Sequence, residues 1–159
     1  MTSRAMEAVE KLITLVHANE DEANHLGACD SRLIEAAEHA MGLTFPPSYR
    51  RFVEEFGSLD IAAEDFLGVY KTPAGGDTLW GSSRETLDAR DSGMPLELIA
   101  VQQDGMGGIY VLDSSSPDSD GEYPVMIWEP WRTSMEFQGN SFGEFALSAV
   151  LRALEESLD

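Results

Sequence analysis

The sequence predicts an α+β fold in one domain, and three observations point there. Apolar residues recur at helical spacing through the first third of the chain, three short apolar or β-branched runs separated by turn residues follow, and a capping-box sequence opens one more helix at the end. Helices first, a meander next and a helix last predict a mostly antiparallel sheet flanked by N-terminal helices and one C-terminal helix. A chain of 159 residues fits a single domain that buries about 70% of its unfolded surface.

The elements follow in order. Met6, Val9, Leu12, Ile13 and Val16 line one face of a first helix, with Ser3 placed to cap it. Asn19–Asp30 is polar, contains Gly27 and reads as a loop. Ser31–Met41 carries Leu33, Ala37, Ala40 and Met41 on one side of a second helix, stopped by Gly42. Pro46 and Pro47 break the chain, and the second suits the first turn of a third helix. That helix places Tyr49, Phe52, Val53 and Phe56 at i, i+3, i+4 and i+7 and ends at Gly57. Asp65–Lys71 reads as a short strand, and Asp77–Arg90 as a weakly marked helix. Leu96–Gln102, Ile109–Asp113 and Tyr123–Trp128 are three strands, the first pair joined by a hairpin over Asp104–Gly108. Ser141-Phe142-Gly143-Glu144 opens a last helix with the stripe Phe142, Phe145, Ala146, Ala149, Val150 and Ala153.

Charge narrows the function. Ten Lys and Arg stand against 29 Asp and Glu, a net charge of −19. Residues 91–159 hold 13 of those acids against only Arg132 and Arg152. Such a field repels phosphate backbones and anionic membrane surfaces, which argues against direct nucleic-acid or membrane binding. It attracts cationic partners and speeds their encounter. Cys29 is the only cysteine, so no internal disulfide forms. Met1–Glu10 lacks the basic and apolar regions of a secretory signal, and no run approaches the roughly 18 apolar residues of a membrane span. The expected compartment is the cytoplasm.

The sequence offers little catalytic chemistry. His17, His25 and His39 all lie in the first quarter, none beside a motif that activates a serine or thiol. His25 and Cys29, four apart, could share a helix face with His17 as a third metal ligand, but this polar stretch reads better as surface histidines and a half-buried thiol. Gly105-Met106-Gly107-Gly108 is a turn, since Tyr110 stands where a dinucleotide fingerprint needs glycine. No cofactor, metal or catalytic residue is expected. Asp113–Glu122 holds four acids and reads as a solvated loop, a fragment of a calcium loop, or an edge whose carboxylates meet arginine forks. Trp128 and Trp131 flank Glu129-Pro130, either packing in the core or, with Arg132, anchoring an interface.

One ordered set of residues goes further. Ile34, Glu35 and Glu38 precede Gly42-Leu43-x-Phe45-Pro46-x-x-Tyr49-x-x-Phe52, which runs to Phe56-Gly57. The Asp104–Asp113 hairpin with Tyr110-x-x-Asp113, the Gly121-Glu122-Tyr123-Pro124-Val125 turn and Ser141-Phe142-x-x-Phe145 follow. From about Ser31 onward this resembles the SUKH superfamily, which holds fungal cell-wall regulators of the Smi/Knr type and bacterial toxin-immunity proteins. One departure is that Gly108 leads directly to Ile109, where many members carry an aspartate. On this division residues 1–30 are a helix-and-loop extension to a Smi/Knr-like domain at 31–159, both in one structural unit. The resemblance implies a mixed sheet flanked by helices, no catalytic residues, and binding of a cognate toxin, frequently a nuclease. The alternative it implies is a regulatory scaffold module. With the charge, it makes a cationic toxin the expected partner. The expected partner-binding residues are Asp104, Asp113, Asp118, Asp120 and Glu122, with Trp131 and Arg132 as anchors.

Overall fold

A computed structural model describes residues 2–158. Helix α1 (Arg4–His17) starts where Ser3 Oγ accepts the Met6 N–H at 3.1 Å, and it buries Val9, Leu12, Ile13 and Val16. Helix α2 (Ser31–Met41) is capped by Asp30, whose carboxylate accepts the Arg32 N–H at 2.8 Å, and it ends at left-handed Gly42. Helix α3 (Pro47–Phe56) buries Tyr49, Phe52, Val53 and Phe56 as its spacing predicts. Glu38 ties α2 to α3, accepting the Phe45 N–H at 2.6 Å and the Arg50 guanidinium at 3.2 Å. Helix α5 (Phe142–Ser157) opens with the expected capping interaction, as the Glu144 N–H donates to Ser141 Oγ at 3.2 Å. The rings of Tyr49, Phe52, Phe66 and Phe142 meet in the middle of the core, Tyr49 and Phe52 stacked and the other contacts edge-on or tilted.

The main sheet is the antiparallel meander β6 (Leu98–Gln103), β7 (Ile109–Asp113), β8 (Val125–Trp128) and β9 (Glu136–Gly139). One face places Ile99, Val101, Leu112 and Val125 on the main core with α1, α3 and α5. The other places Leu98, Val111 and Trp128 against Ala89 and Met94, at the end of helix α4 (Ser82–Asp91). Trp128 is thus a core residue. Helix α4 carries a weak apolar signal because its inner face is Ser82, Ser83 and Thr86. Ser82 and Thr86 serve the bulge at Ala100–Gln102, where Thr86 Oγ1 accepts the Ala100 N–H at 2.9 Å and Ser82 Oγ donates to the Ala100 carbonyl.

Three differences from the sequence reading stand out. The expected loop 19–30 contains a 3-10 turn and strand β1 (Ala23–His25), which joins β2 (Leu59–Ile61) and β3 (Glu64–Phe66) in a second antiparallel sheet. The single strand expected over Asp65–Lys71 is two: β3, and β4 (Val69–Tyr70), which pairs with β5 (Trp80–Gly81). Strand β9 went unforeseen because Glu136–Gly139 is largely exposed and has no apolar alternation.

The β2–β3 hairpin turns on Ala62 and Ala63, both at positive φ (49° and 71°). Such a turn normally uses Asn-Gly, so the sequence carries no hairpin signal there. Ala63 is exposed and holds its left-handed conformation at a steric cost. Ala63→Gly is therefore expected to stabilise the fold by about 0.5–1 kcal/mol in urea denaturation. An equal or lower midpoint would show that this turn is unstrained.

Candidate functional site

An open cleft of about 990 Å³ lies between the β3 segment, the Gln102–Gly105 end of the β6–β7 hairpin and α5. Five acids line it: Glu64, Asp65, Glu85, Asp104 and Glu144. Arg152 is its one basic residue among the described residues. Tyr110 and Phe145 also line it, their ring centroids 5.1 Å apart. Local hydrogen bonds hold four of the five acids. Gln102 Nε2 donates to Glu64 at 2.6 Å and Gln103 Nε2 to Glu85 at 2.8 Å, so neutral amides orient these two carboxylates. Asp104 Oδ1 accepts the N–H groups of Met106 and Gly108 at 2.7 and 2.9 Å, which folds the hairpin tip around it. Ser141 Oγ donates to Glu144 Oε1 at 3.0 Å.

The charge of the cleft stays uncompensated. Among the described residues none of these five acids pairs with a cation within 4.0 Å, whereas Glu10, Glu38, Glu54, Glu55, Asp88 and Glu129 elsewhere do. A neighbouring group registers this field. Partial burial and then the charges of Asp104 and Glu64 raise the Tyr110 phenol above its ordinary pKa, against a smaller pull from Arg152. Asp65 is raised for a separate reason, first by partial burial and then by Asp60, which lies outside the cleft. An aromatic pair among carboxylates suits an arginine or lysine side chain, whose stem packs on rings while its charge meets acids.

The structure separates the residues singled out in the sequence. Asp104 lines the cleft. Trp131 stands beside the same hairpin tip, 61% exposed, its ring lying over Gly107. Arg132 is exposed, but Glu129 and Glu136 hold it at 3.2 and 3.4 Å. Asp113 ends β7, and Asp118 and Asp120 lie in the β7–β8 loop, all at the opposite end of the antiparallel meander. Asp113 Oδ1 accepts the Ser115 N–H and hydroxyl at 3.0 and 2.6 Å, and Asp118 Oδ1 accepts the N–H groups of Asp120 and Glu122 at 2.8 and 3.0 Å. Only Asp120 among these three makes no side-chain hydrogen bond among the described residues, and it is exposed.

Glu122 is a correction, because its carboxylate is buried, 1% exposed, and unavailable to a partner. The cause is a shortage of donors' partners at two helix starts. Pro46 cannot cap α3 and Pro47 has no N–H, so Ser48 supplies the first free amide. It donates to Glu122 Oε2 at 2.9 Å while Ser48 Oγ donates to Oε1 at 2.7 Å. Ser48 Oγ in turn accepts the Gly143 N–H at 3.0 Å, near the start of α5. One carboxylate thus serves the positive ends of two helices. With Glu122 turned inward, the Asp118–Glu122 segment does not converge as a calcium loop.

Sequence reasoning missed Glu64, Asp65 and Glu85, which lie in short or polar segments without a pattern. It read Glu144 only as a helix cap. Tyr110 and Phe145 carried the available signal, an aromatic in a strand and one at a helix start.

A comparison with curated proteins returns no match. Among solved structures, one described as a protein from Pseudomonas syringae pv. tomato superposes with a TM-score of 0.59 at 16% identity, covering 88% of this chain and 93% of that one. That likeness shows a shared fold. The family model described as SMI1-KNR4 cell-wall, SUKH_5, matches residues 6–151, taking in α1 upstream of where the resemblance was placed. The chain therefore belongs to the SUKH_5 (SMI1-KNR4 cell-wall) family.

Proposed function

We propose that this protein is a cytoplasmic immunity protein that binds and neutralises a cationic, nuclease-type toxin through the acidic cleft. The observation that carries the reading is the cleft's uncompensated charge: five carboxylates and one arginine, with amides and hydroxyls as the acids' side-chain partners. A nuclease holds phosphate in a basic cleft, and a recess of opposite sign matches it in potential. A cleft lined by one sign of charge focuses its field and raises the local concentration of a cationic partner. Trp131 at the hairpin tip is the exposed aromatic anchor beside the cleft. The distal acids Asp113, Asp118 and Asp120 add to the long-range field, and Asp113 and Asp118 also shape their own loop. No helix among the described residues is long and apolar enough to cross a membrane.

Immobilised protein exposed to lysate of its own source is expected to retain a basic protein that is toxic alone and harmless when co-expressed. Several moderate-affinity partners without any such rescue would instead favour a regulatory scaffold. Raising salt from about 0.05 to 0.5 M is expected to slow association more than it speeds dissociation. An association rate indifferent to salt would remove the electrostatic basis of the proposal.

A further inference from the structure

A second chemical cluster shares no residue with the cleft. His17 closes α1, Glu20 lies in the 3-10 turn Glu20–Glu22, and His25 ends β1. Their ligating atoms lie within 4.8 Å of one another. His17 Nδ1 stands 2.7 Å from Glu20 Oε1, and His25 Nε2 stands 3.3 Å from Glu20 Oε2. Donors around a tetrahedral zinc, at about 2.0–2.1 Å bonds, are spaced about 3.3 Å apart.

Three further features distinguish this group from incidental surface ion pairs. The other nitrogen of His17, Nε2, faces Glu55 Oε2 on α3 at 3.4 Å. A carboxylate on the far ring nitrogen is the arrangement that fixes the tautomer and orientation of a metal-ligating histidine. Glu55 is itself held by Arg51 at 3.1 Å. In His25, Nδ1 is buried without a partner among the described residues, so Nε2, facing Glu20 and His17, is the ring nitrogen open to a ligand. Both rings rest against Phe56, with centroids 5.8 and 5.3 Å from it, which limits how far they turn. Cys29 is not part of the group, since its Sγ faces the carbonyls of Asp30 and Val69.

We propose that His17, Glu20 and His25 form a binding site for a divalent transition metal of the zinc class, oriented by Glu55. Two imidazoles and one carboxylate suit such a borderline ion and leave a fourth position for water. The three ligands come from α1, the following turn and β1, and Glu55 comes from α3. A bound ion fastens the first helix and the second sheet to the helix that carries the core aromatics.

The test is calorimetric titration of zinc chloride into the full chain at neutral pH, with millimolar magnesium present to occupy weak carboxylate sites. One zinc per chain is expected, with a melting temperature that rises on loading. His17→Gln and His25→Gln should each weaken binding more than Glu55→Gln, which should cost about tenfold. Cys29→Ser should leave affinity unchanged. His17 is exposed, so its variant keeps the fold, and circular dichroism checks that. Nitrogen-detected NMR gives a second readout: zinc should move His17 Nδ1 and His25 Nε2. Absence of saturable binding, binding unchanged in His17→Gln, or imidazole signals that zinc does not move would each overturn the proposal.

Discussion

Replacing Glu122 with alanine is expected to destabilise the protein by about 3–4 kcal/mol, because it removes two hydrogen bonds to a buried charge and strands their donors. The Ser48 amide and hydroxyl both lose their acceptor, and that hydroxyl also anchors the Gly143 amide of α5. In a domain of this size the loss lowers the melting temperature by about 10 °C. Ser48→Ala should cost less, since the Glu122 carboxylate keeps one backbone partner. A Glu122→Ala chain melting within about 2 °C of wild type would show that the two helix starts do not depend on this carboxylate.

The same residue makes a pH prediction whose sign is fixed. Burial holds the Glu122 carboxyl above the usual carboxylate range, with the Ser48 hydrogen bonds opposing. A pKa raised by folding means that the stabilising increment is fully present below the unfolded value of about 4.3. It is lost as pH rises through the higher folded value. Glu122→Gln has no charge to gain, so the stability gap between wild type and this variant should narrow over that window. The subtraction removes the background self-repulsion of a chain with net charge −19. A gap that widens with pH would reverse the assignment.

The second large effect is expected at Gly68. Three backbone segments meet at Gly57, Gly68 and Gly81, where the Val69 N–H donates to Gly57 O at 2.8 Å and the Ser82 N–H to Gly68 O at 2.7 Å. A Cβ on Gly68 would fall on the Gly57 carbonyl, and one on Gly81 would fall on the Gly68 carbonyl. These are main-chain atoms that no rotamer change can clear. Gly68→Ala must push apart the end of α3 and the strands that lead into α4, breaking both bonds. The expected cost is about 4 kcal/mol or more, among the larger single-residue effects. Gly42→Ala is the control, in the left-handed helical region at φ 71° but with open space around it, and should cost about 1–2 kcal/mol. Similar midpoints for the two variants would show that the three-glycine contact is not tight.

What the sequence made legible follows from range. Helices α1, α2, α3 and α5 and the strands β6–β8 announce themselves through local periodicity and local caps such as Ser3, Gly42 and Ser141. Strands β1, β2 and β3 are three residues each; β1 is stabilised by pairing with β2 across a separation that no local pattern records, and the β2–β3 hairpin turns on two alanines that carry no turn signal. Helix α4, expected over Asp77–Arg90, is only weakly marked because its buried hydroxyls serve the freed backbone of a bulge and not an apolar core. The acidic excess was plain, but its placement was not. Asp104 was read in the right neighbourhood, while Glu64, Asp65 and Glu85 join it only through the packing of the second sheet and α4. Glu122 looked like a solvent carboxylate within Asp-Ser-Asp-Gly-Glu, and only the meeting of two helix starts explains why it turns inward.

The most direct measurement compares two isosteric variants for association with the retained basic partner at low salt. The first is the cleft triple Glu64→Gln, Asp65→Asn and Asp104→Asn, and the second is the loop triple Asp113→Asn, Asp118→Asn and Asp120→Asn. Each set removes three charges and leaves an amide oxygen able to accept the native hydrogen bonds. The cleft set should slow association at least about tenfold and raise Kd further, while the loop set changes the rate only a few-fold. Equal losses from both sets, or a greater loss from the loop set, would contradict the cleft as the place where the partner is held.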